Sequence, residues 1–212
     1  MRLRKVKNAG DKIAQFPNIV ILDPKEHKGN WNKLFGNDNP IHIEIGCGKG
    51  RFAIGMAKAN PDINYIAFEK YDSVLVRALE LYLTDEQPNL RFVLADAQEI
   101  NEYFIKDEVK QIHLNFSDPW PKKCHSKRRL TSSLFLAKYK EILPVGGKII
   151  QKTDNKGLFA FSIEEYSKNN LLINKVSLDL HSEDMFNVMT EFEEKWSKLG
   201  PIYYAEVIYK GE

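Results

Sequence analysis

Cysteines and long apolar runs are scarce in this 212-residue chain. The two cysteines, Cys47 and Cys124, have no metal-ligand partner at a recognised spacing, so no zinc site is expected and free thiols in a reducing cytosol are the simplest interpretation. No apolar run approaches the roughly 20 residues that span a bilayer. The basic start, MRLRKVKNAGDK, lacks the apolar core of a secretory signal. The sequence therefore predicts a cytoplasmic protein that binds neither a metal nor a membrane.

Net charge is also nearly absent, because 31 basic residues face 29 acidic ones and leave +2. The distribution of charge is more informative than its sum, since two segments concentrate the basic residues. They are Arg2, Arg4, Lys5 and Lys7, and then Lys122, Lys123, Lys127, Arg128 and Arg129. Such clusters either bind phosphates or form a solvated surface.

The length and composition fit one soluble globular domain, with 43% hydrophobic and 28% charged residues. We predict a single domain over residues 1–212, in which residues 1–30 form a basic N-terminal extension. An irregular stretch is expected to follow, through Pro24, Gly29 and Gly36.

Beyond that stretch, strands and helices alternate. Strands are predicted at 41–45, 65–68, 90–94, 111–116, 148–152, 171–180 and 202–209. Helices are predicted at 51–59, 133–143 and 191–199, and another after a cap at Asp72 or Ser73. This alternation indicates a doubly wound α/β domain with a mainly parallel sheet. Ligands of such sheets bind at the carboxyl ends of the strands.

A glycine-rich segment, Gly-Cys-Gly-Lys-Gly at 46–50, follows the first of these strands. Closely spaced glycines let the backbone approach a ligand and turn into a helix without a Cβ clash. A dinucleotide fingerprint needs a sixth-position glycine, where this chain has Arg51, which weighs against NAD and FAD. The segment resembles the first motif of S-adenosylmethionine-dependent methyltransferases. That resemblance implies a Rossmann-like, seven-stranded sheet whose last strand is antiparallel.

Acidic residues near the ends of the first three strands suit the same cofactor. Glu69 can accept hydrogen bonds from both ribose hydroxyls, Asp96-Ala97 is placed for the adenine amino group, and Glu44 can receive the ammonium end. Any one of them could instead be a turn or cap residue, but the ordered set is more specific. The predicted cofactor residues are Glu44, Gly46, Gly48, Glu69, Asp96, Ala97 and Asp118.

The fourth strand leads into Asp-Pro-Trp-Pro-Lys-Lys at 118–123, then His125 and a basic run. This segment closely resembles the Asp-Pro-Trp-x-Lys-x-x-His element of the bacterial tRNA (guanine-N7-)-methyltransferase family. The resemblance covers nearly the whole chain, including Arg2 and Arg4, Lys-Thr-Asp at 152–154 and Thr-Glu-Phe-Glu at 190–193. The family usually has tyrosine at the position of Phe192, so a hydrogen bond from that ring is lost.

The resemblance implies transfer of the methyl group of S-adenosylmethionine to N7 of a guanine in tRNA, with the variable loop as the expected target. We predict catalytic roles for Asp118 and Asp154 from the chemistry described below, and we expect either a monomer or a homodimer. The substrate-binding residues implied are Lys122, Asp154, Thr190, Glu191, Phe192 and Glu193. The RNA-binding residues implied are Cys124, His125, Ser126, Lys127, Arg128 and Arg129.

The chemistry fits these residues. N7 of guanine carries an in-plane lone pair and no proton, so the attack needs no general base, and catalysis can rest on positioning. Carboxylates would stabilise the positive charge that develops on the base and could accept hydrogen bonds from its N1–H and amino group. We expect Asp154 and Glu193 on the base and Asp118 between cofactor and base, although the sequence does not assign each role.

Three residues keep two interpretations. His125 can contact a phosphate or order the loop by a hydrogen bond. Trp120 can stack on a base or anchor the loop by packing. Thr190 and Glu193 lie three residues apart at a predicted helix start, which also fits a capping box.

Other functions fit less well. Methylation of an exocyclic amine would favour a second proline directly after Pro119, where this chain has Trp120. A catalytically silent RNA-binding protein would not need the glycines, Glu69, Asp96 and Asp118. A nicotinamide-dependent oxidoreductase is disfavoured by Arg51.

Overall fold

The computed structural model describes residues 5–211. The chain divides into two compact units, Met1–Phe104 and Ile105–Glu212. No helix within the described residues is long and apolar enough to cross a membrane.

The first unit holds four parallel strands in the order β1-β4-β3-β2. The strands are β1 (Val20–Ile21), β2 (Ile41–Ile45), β3 (Asn64–Glu69) and β4 (Leu90–Leu94). The helices are α1 (Ala9–Ile13), α2 (Trp31–Phe35), α3 (Arg51–Ala59), α4 (Asp72–Tyr82) and α5 (Ile100–Tyr103). Every residue of β3 is buried, as expected for a strand covered on both faces.

The N-terminal part of the chain is more regular than the sequence suggests. Helix α1 packs on α4, and its residues Ala9 and Ile13 are both buried in the core of this unit. The backbone N–H of Val6 donates to Ser73 Oγ at 3.1 Å. The predicted irregular stretch up to Gly36 is wrong, because it contains β1 and α2. Arg2 and Arg4 lie outside the described residues.

The second unit holds four strands in the order β5-β6-β8-β7. The strands are β5 (Val109–Asn115), β6 (Lys148–Thr153), β7 (Leu171–Ser177) and β8 (Tyr203–Tyr209). The helices are α6 (Ser133–Ile142), α7 (Lys156–Lys168) and α8 (Glu191–Trp196). β5 and β6 are parallel, and β8 is antiparallel to both of its neighbours.

The predicted fold class is confirmed, with mainly parallel strands and an antiparallel last strand. The strand count differs, because the two-residue β1 brings the described strands to eight. α7 was not predicted; Asn155 caps it by accepting from the Leu158 N–H at 2.8 Å. At α4 the N-cap is Tyr71 and Asp72 is the first helical residue, so neither predicted residue caps that helix. The division into a single domain with a basic extension stays a prediction.

Candidate active site

The glycine loop, residues 46–50, joins β2 to α3 in the first unit. Gly46 has φ +82° and Gly48 has φ +59°, and a Cβ on either would project into open space. Gly50 also has positive φ, but a Cβ there would lie 2.9 Å from the Cβ of Ala78 in α4. Gly50 is therefore needed for packing, whereas Gly46 and Gly48 leave bare backbone beside a space that a ligand can enter.

This loop is tied to the end of β3 by hydrogen bonds. The N–H groups of Gly46 and Cys47 both donate to the carbonyl oxygen of Phe68 at 2.9 Å. The Gly48 N–H donates to Glu69 Oε2 at 3.2 Å. The loop is thus held in place by partners on the neighbouring strand.

Glu69 accepts two further backbone hydrogen bonds, from Lys70 at 2.9 Å and Tyr71 at 3.1 Å. Burial raises the pKa of the Glu69 carboxyl above its ordinary value, and the backbone donors and Lys70 oppose that rise. The carboxyl group is therefore fixed in orientation at the end of β3.

The other predicted cofactor residues of this unit lie near the same edge. Glu44 is buried in β2 at 3% exposure. Asp96 is exposed after β4 and accepts from the Gln98 N–H at 2.9 Å, so it also serves as a cap; Ala97 is buried. Because β2, β3 and β4 are parallel neighbours, their carboxyl ends bring these residues and the glycine loop together.

In the second unit, the loop that follows β5 carries the Asp-Pro-Trp element, and we call residues 116–129 the DPW loop. Phe116 and Trp120 adopt positive φ values of 50° and 40°, which are unfavourable for side chains of this size. Asp118 lies between them and is exposed. Strained backbone is thus held on both sides of a predicted catalytic carboxylate.

Arg129 holds this loop in shape. Its Nε donates to the carbonyl of Pro119 at 2.9 Å, and its terminal nitrogen donates to that of Trp120 at 3.0 Å. The guanidinium also lies 4.3 Å from the ring centroid of Phe161. Arg129 was predicted to bind RNA, and the structure gives its side chain contacts within the protein.

Trp120 packs between two other members of the loop. The guanidinium of Arg128 lies 4.9 Å from its ring centroid, and the His125 ring meets it edge-on at 5.6 Å. This packing is the anchoring role that the sequence left open for Trp120.

The remaining predicted RNA residues follow in the short 3-10 helix Lys123–Arg128, none of whose residues is buried. Lys122, Cys124, Lys127 and Arg128 are exposed, whereas Ser126 is partly buried. Cationic side chains at this surface are available to a polyanion.

Asp154 is exposed directly after β6, where Asn155 begins the cap of α7. β5 and β6 are parallel neighbours, and the Phe116 N–H donates to the Lys152 carbonyl at 2.8 Å. The start of the DPW loop and Asp154 therefore lie at the same edge of this unit.

Thr190 and Glu193 form a capping box at the start of α8. The Glu193 N–H donates to Thr190 Oγ1 at 2.9 Å, and the Thr190 N–H donates to Glu193 Oε2 at 3.3 Å. Glu193 is fully buried, and its carboxylate is 2.6 Å from Lys152 Nζ. Glu191, by contrast, is exposed. No local sequence pattern indicates the buried ion pair, because its two members lie 41 positions apart along the chain.

A row of aromatic rings connects the DPW loop to α8. Phe192 is 42% exposed; its ring centroid lies 5.0 Å from that of Phe116 and 5.5 Å from that of Trp196. Phe192 thus joins the DPW loop to α8 through ring packing, which needs no hydroxyl group.

Comparisons with known proteins agree with this architecture. The family described as "Putative methyltransferase" matches residues 38–205. The 16S rRNA methyltransferase KamB superposes with a TM-score of 0.65 at 11% identity, covering 86% of this chain and 94% of its own. A mutant 16S rRNA (adenine(1408)-N(1))-methyltransferase from Catenulisporales acidiphilia, solved with cosubstrate SAM, gives 0.60 at 13% identity, covering 90% and 92%. The chain is a methyltransferase of the Rossmann-like α/β class.

Full-length relatives narrow the class further. The tRNA (guanine-N(7)-)-methyltransferases of Bacillus subtilis (strain 168) and Geobacillus sp. (strain WCH70) are 52% and 54% identical to this chain. The matches cover 99% of this chain in both cases, and 100% and 96% of the relatives. The chain belongs to the tRNA (guanine-N7-)-methyltransferase family.

Proposed function

We propose that this protein transfers the methyl group of S-adenosylmethionine to N7 of a guanine in tRNA, with the variable loop as the target. The products are 7-methylguanosine and S-adenosylhomocysteine. The observation that carries the proposal is identity above 50% over the full chain to enzymes named for this reaction.

The first unit supplies groups that fit the cofactor. Gly46 and Gly48 leave open a space that a Cβ would occupy. Glu69 would accept hydrogen bonds from the ribose hydroxyls, and Glu44 would receive the ammonium group. Asp96 and Ala97 would bind the adenine. When bound, S-adenosylmethionine supplies an electrophilic methyl group on a sulfonium.

The second unit supplies groups that fit the guanine. Asp154 is exposed at the end of β6, so its carboxylate is available to the N1–H and amino group of a guanine. Adenine has no N1–H donor at that position, so this contact would favour guanine. Asp118 would lie between cofactor and base, and Lys122 would also contact the substrate. The carboxylates of Asp154 and Asp118 would both stabilise the positive charge that methylation places on the base.

No proton transfer at N7 is needed, because the attacking lone pair carries no proton. The role of the protein is to hold N7 in line with the methyl group and to exclude water. A guanine within folded tRNA must be partly exposed for this alignment, as in other enzymes that act on bases. The proposed reaction uses no metal.

The surface of the DPW loop would bind the tRNA backbone. Lys127 and Arg128 would contact phosphates, which position the RNA without reading its sequence. His125 and Cys124 would lie near these contacts, and Arg129 would support them from within the loop. Because tRNA is the proposed substrate, we expect the protein to act in the cytoplasm, as a monomer or a homodimer.

The direct test is incubation with unmodified tRNA transcript and methyl-labelled S-adenosylmethionine, then nuclease digestion and identification of the labelled nucleoside. We expect the label in 7-methylguanosine. A transcript in which the variable-loop guanine is replaced by adenine is the matched control and should stay unlabelled. Label in any other nucleoside would overturn the assignment of N7, and label in the control transcript would overturn the assignment of the loop.

A further inference from the structure

A buried lysine in the second unit has all three of its ammonium donors occupied. The side chain of Lys152 is only 3% exposed. Its Nζ donates to Glu193 Oε2 at 2.6 Å, Asn187 Oδ1 at 3.0 Å and the carbonyl of Val188 at 2.9 Å. Lys152 therefore binds residues 187–193, which lie 35 to 41 positions later in the sequence.

The carboxylate of Glu193 is equally occupied. Oε2 accepts from Lys152 and from the Thr190 N–H at 3.3 Å. Oε1 accepts from Asn187 Nδ2 at 2.6 Å and lies 3.1 Å from His181 Nε2. A carboxylate has about four acceptor positions, and these four contacts use them with the His181 tautomer that carries its proton on Nε2. With no exposed surface, Glu193 has no acceptor position left for the N1–H or amino group of a guanine.

Asn187 links the two charges, because its amide donates to Glu193 and its oxygen accepts from Lys152. Lys152, Asn187 and Glu193 thus form one network that fixes residues 187–193 against the end of β6. Buried polar networks of this kind impose a specific geometry when every member has its partners. Asp154 lies two positions after Lys152, the residue of β6 that anchors this network.

We infer that Glu193, Lys152 and Asn187 are positioning residues, which hold residues 187–192 and the end of β6 in register, and that Glu193 does not contact the base. This inference rests on the proposed function for the identity of the substrate. It assigns direct recognition of guanine to Asp154 and to the exposed part of the segment. It also gives Asn187 a role in the reaction.

The first test needs no RNA. Hydrogen–deuterium exchange of residues 183–192 would be compared between the wild type and Asn187→Ala. This variant removes two hydrogen bonds and leaves the Lys152–Glu193 charge pair intact, so the fold should survive. We expect exchange in this segment to rise at least about tenfold, because the segment opens locally more often. Unchanged exchange would overturn the positioning role.

The matched control is Lys175→Ala. Lys175 pairs with Glu183 at 2.9 Å near the same segment, but its side chain is 42% exposed. Surface pairs contribute little to stability, so exchange and turnover should match the wild type within about twofold. A rise equal to that of Asn187→Ala would mean that any contact to this segment matters, which would overturn a special role for the buried network.

The second test separates positioning from contact with the base. Glu193→Gln and wild type would be assayed on tRNA carrying guanine, inosine or 2-aminopurine at the target position. Inosine lacks the amino group and 2-aminopurine lacks the N1–H. If Glu193 accepted a bond from either group, the penalty for the corresponding analogue would shrink in the Gln variant, because the amide keeps one acceptor oxygen but loses the charge that strengthens the bond.

We expect the opposite. Glu193→Gln should lower kcat about tenfold on every base, with wild-type analogue penalties retained within about twofold and the affinity for S-adenosylmethionine unchanged. In Asp154→Asn, an analogue penalty should shrink, which provides the positive control. Loss of a penalty in Glu193→Gln would overturn the inference. Failure of the wild type to methylate tRNA would instead overturn the proposed function, and the exchange experiment would still stand.

Discussion

The glycine loop of the first unit and the DPW loop of the second unit are both shaped by unusual backbone, but by different means. The glycine loop reaches positive φ with glycine itself, at Gly46, Gly48 and Gly50. The DPW loop reaches it with Phe116 and Trp120, whose side chains disfavour such angles. The first loop is therefore encoded locally, whereas the second needs partners to hold it.

These partners are Arg129, at the end of the loop itself, and Phe192, which lies farther along the chain and packs on Phe116. Arg129 reaches back to the carbonyls of Pro119 and Trp120. Near the end of β6, Lys152 holds the segment that leads into α8. The loop proposed to bind the cofactor thus depends on its backbone, whereas the segments proposed to bind the substrate depend on side-chain contacts.

The largest effect is expected at Asp154, on the substrate side of this comparison. Asp154→Asn keeps the size of the side chain but removes its charge, and should lower kcat/KM by about 10²–10³. The affinity for S-adenosylmethionine, measured by calorimetry, should not change. The control is Asp184→Asn, which changes another exposed aspartate of the same unit. Wild-type turnover in Asp154→Asn would remove this residue from the base.

Two glycine variants test the cofactor side. Gly50→Ala adds a Cβ 2.9 Å from Ala78 at a positive φ, so it should lower the free energy of unfolding by about 2–4 kcal/mol. Gly46→Ala meets no neighbour, so conformational strain of about 1–2 kcal/mol is its main effect on stability. It should nevertheless weaken S-adenosylmethionine binding more than tenfold, because the methyl group enters the proposed cofactor space.

Chemical denaturation and calorimetry on the same pair of variants decide between the two roles. Equal losses of stability would contradict the packing role of Gly50. Unchanged cofactor affinity in Gly46→Ala would contradict the assignment of the open space beside that glycine.

The difference between the two loops also explains what the sequence can predict. The strand Ile41–Ile45 and the helix Arg51–Ala59 were predicted at their observed bounds, because isoleucines at alternate positions followed by glycines are a local signal. α1 was missed because its two buried residues, Ala9 and Ile13, lie in a short basic segment. The buried pair of Lys152 and Glu193 was missed because nothing local indicates which distant charge a lysine will meet.

The DPW loop offers a finer test, since its basic residues divide into exposed and internal ones. Replacing Lys127 and Arg128 by alanine should weaken tRNA binding and reduce the slope of log Kd against log salt by about 1 per residue. Arg129→Ala should leave most of that slope but lower kcat about tenfold, because the loop that carries Asp118 loses its internal support.

The control for this series is Lys110→Ala, an exposed cation near the start of β5, at the opposite edge from the loop. It should change neither the slope nor kcat. A slope reduced equally by Arg129→Ala would show that all three cations meet RNA, which would contradict the division into two roles.

The smallest effect concerns the pH dependence contributed by Glu69. Burial raises its pKa in the folded protein above the ordinary 4.5, so the folded state binds this proton more tightly than the unfolded state does. Its contribution to stability is therefore complete below about pH 4.5 and is lost as the pH rises through the folded pKa. Relative to Glu69→Gln, the wild type should lose free energy of unfolding across this window in urea titrations.

Saturating S-adenosylmethionine should reduce that loss, because hydrogen bonds from the ribose hydroxyls would favour the ionised carboxylate and lower its pKa. Parallel pH profiles for the two proteins would remove Glu69 as the source, and an unaltered profile with cofactor would argue against the ribose contact.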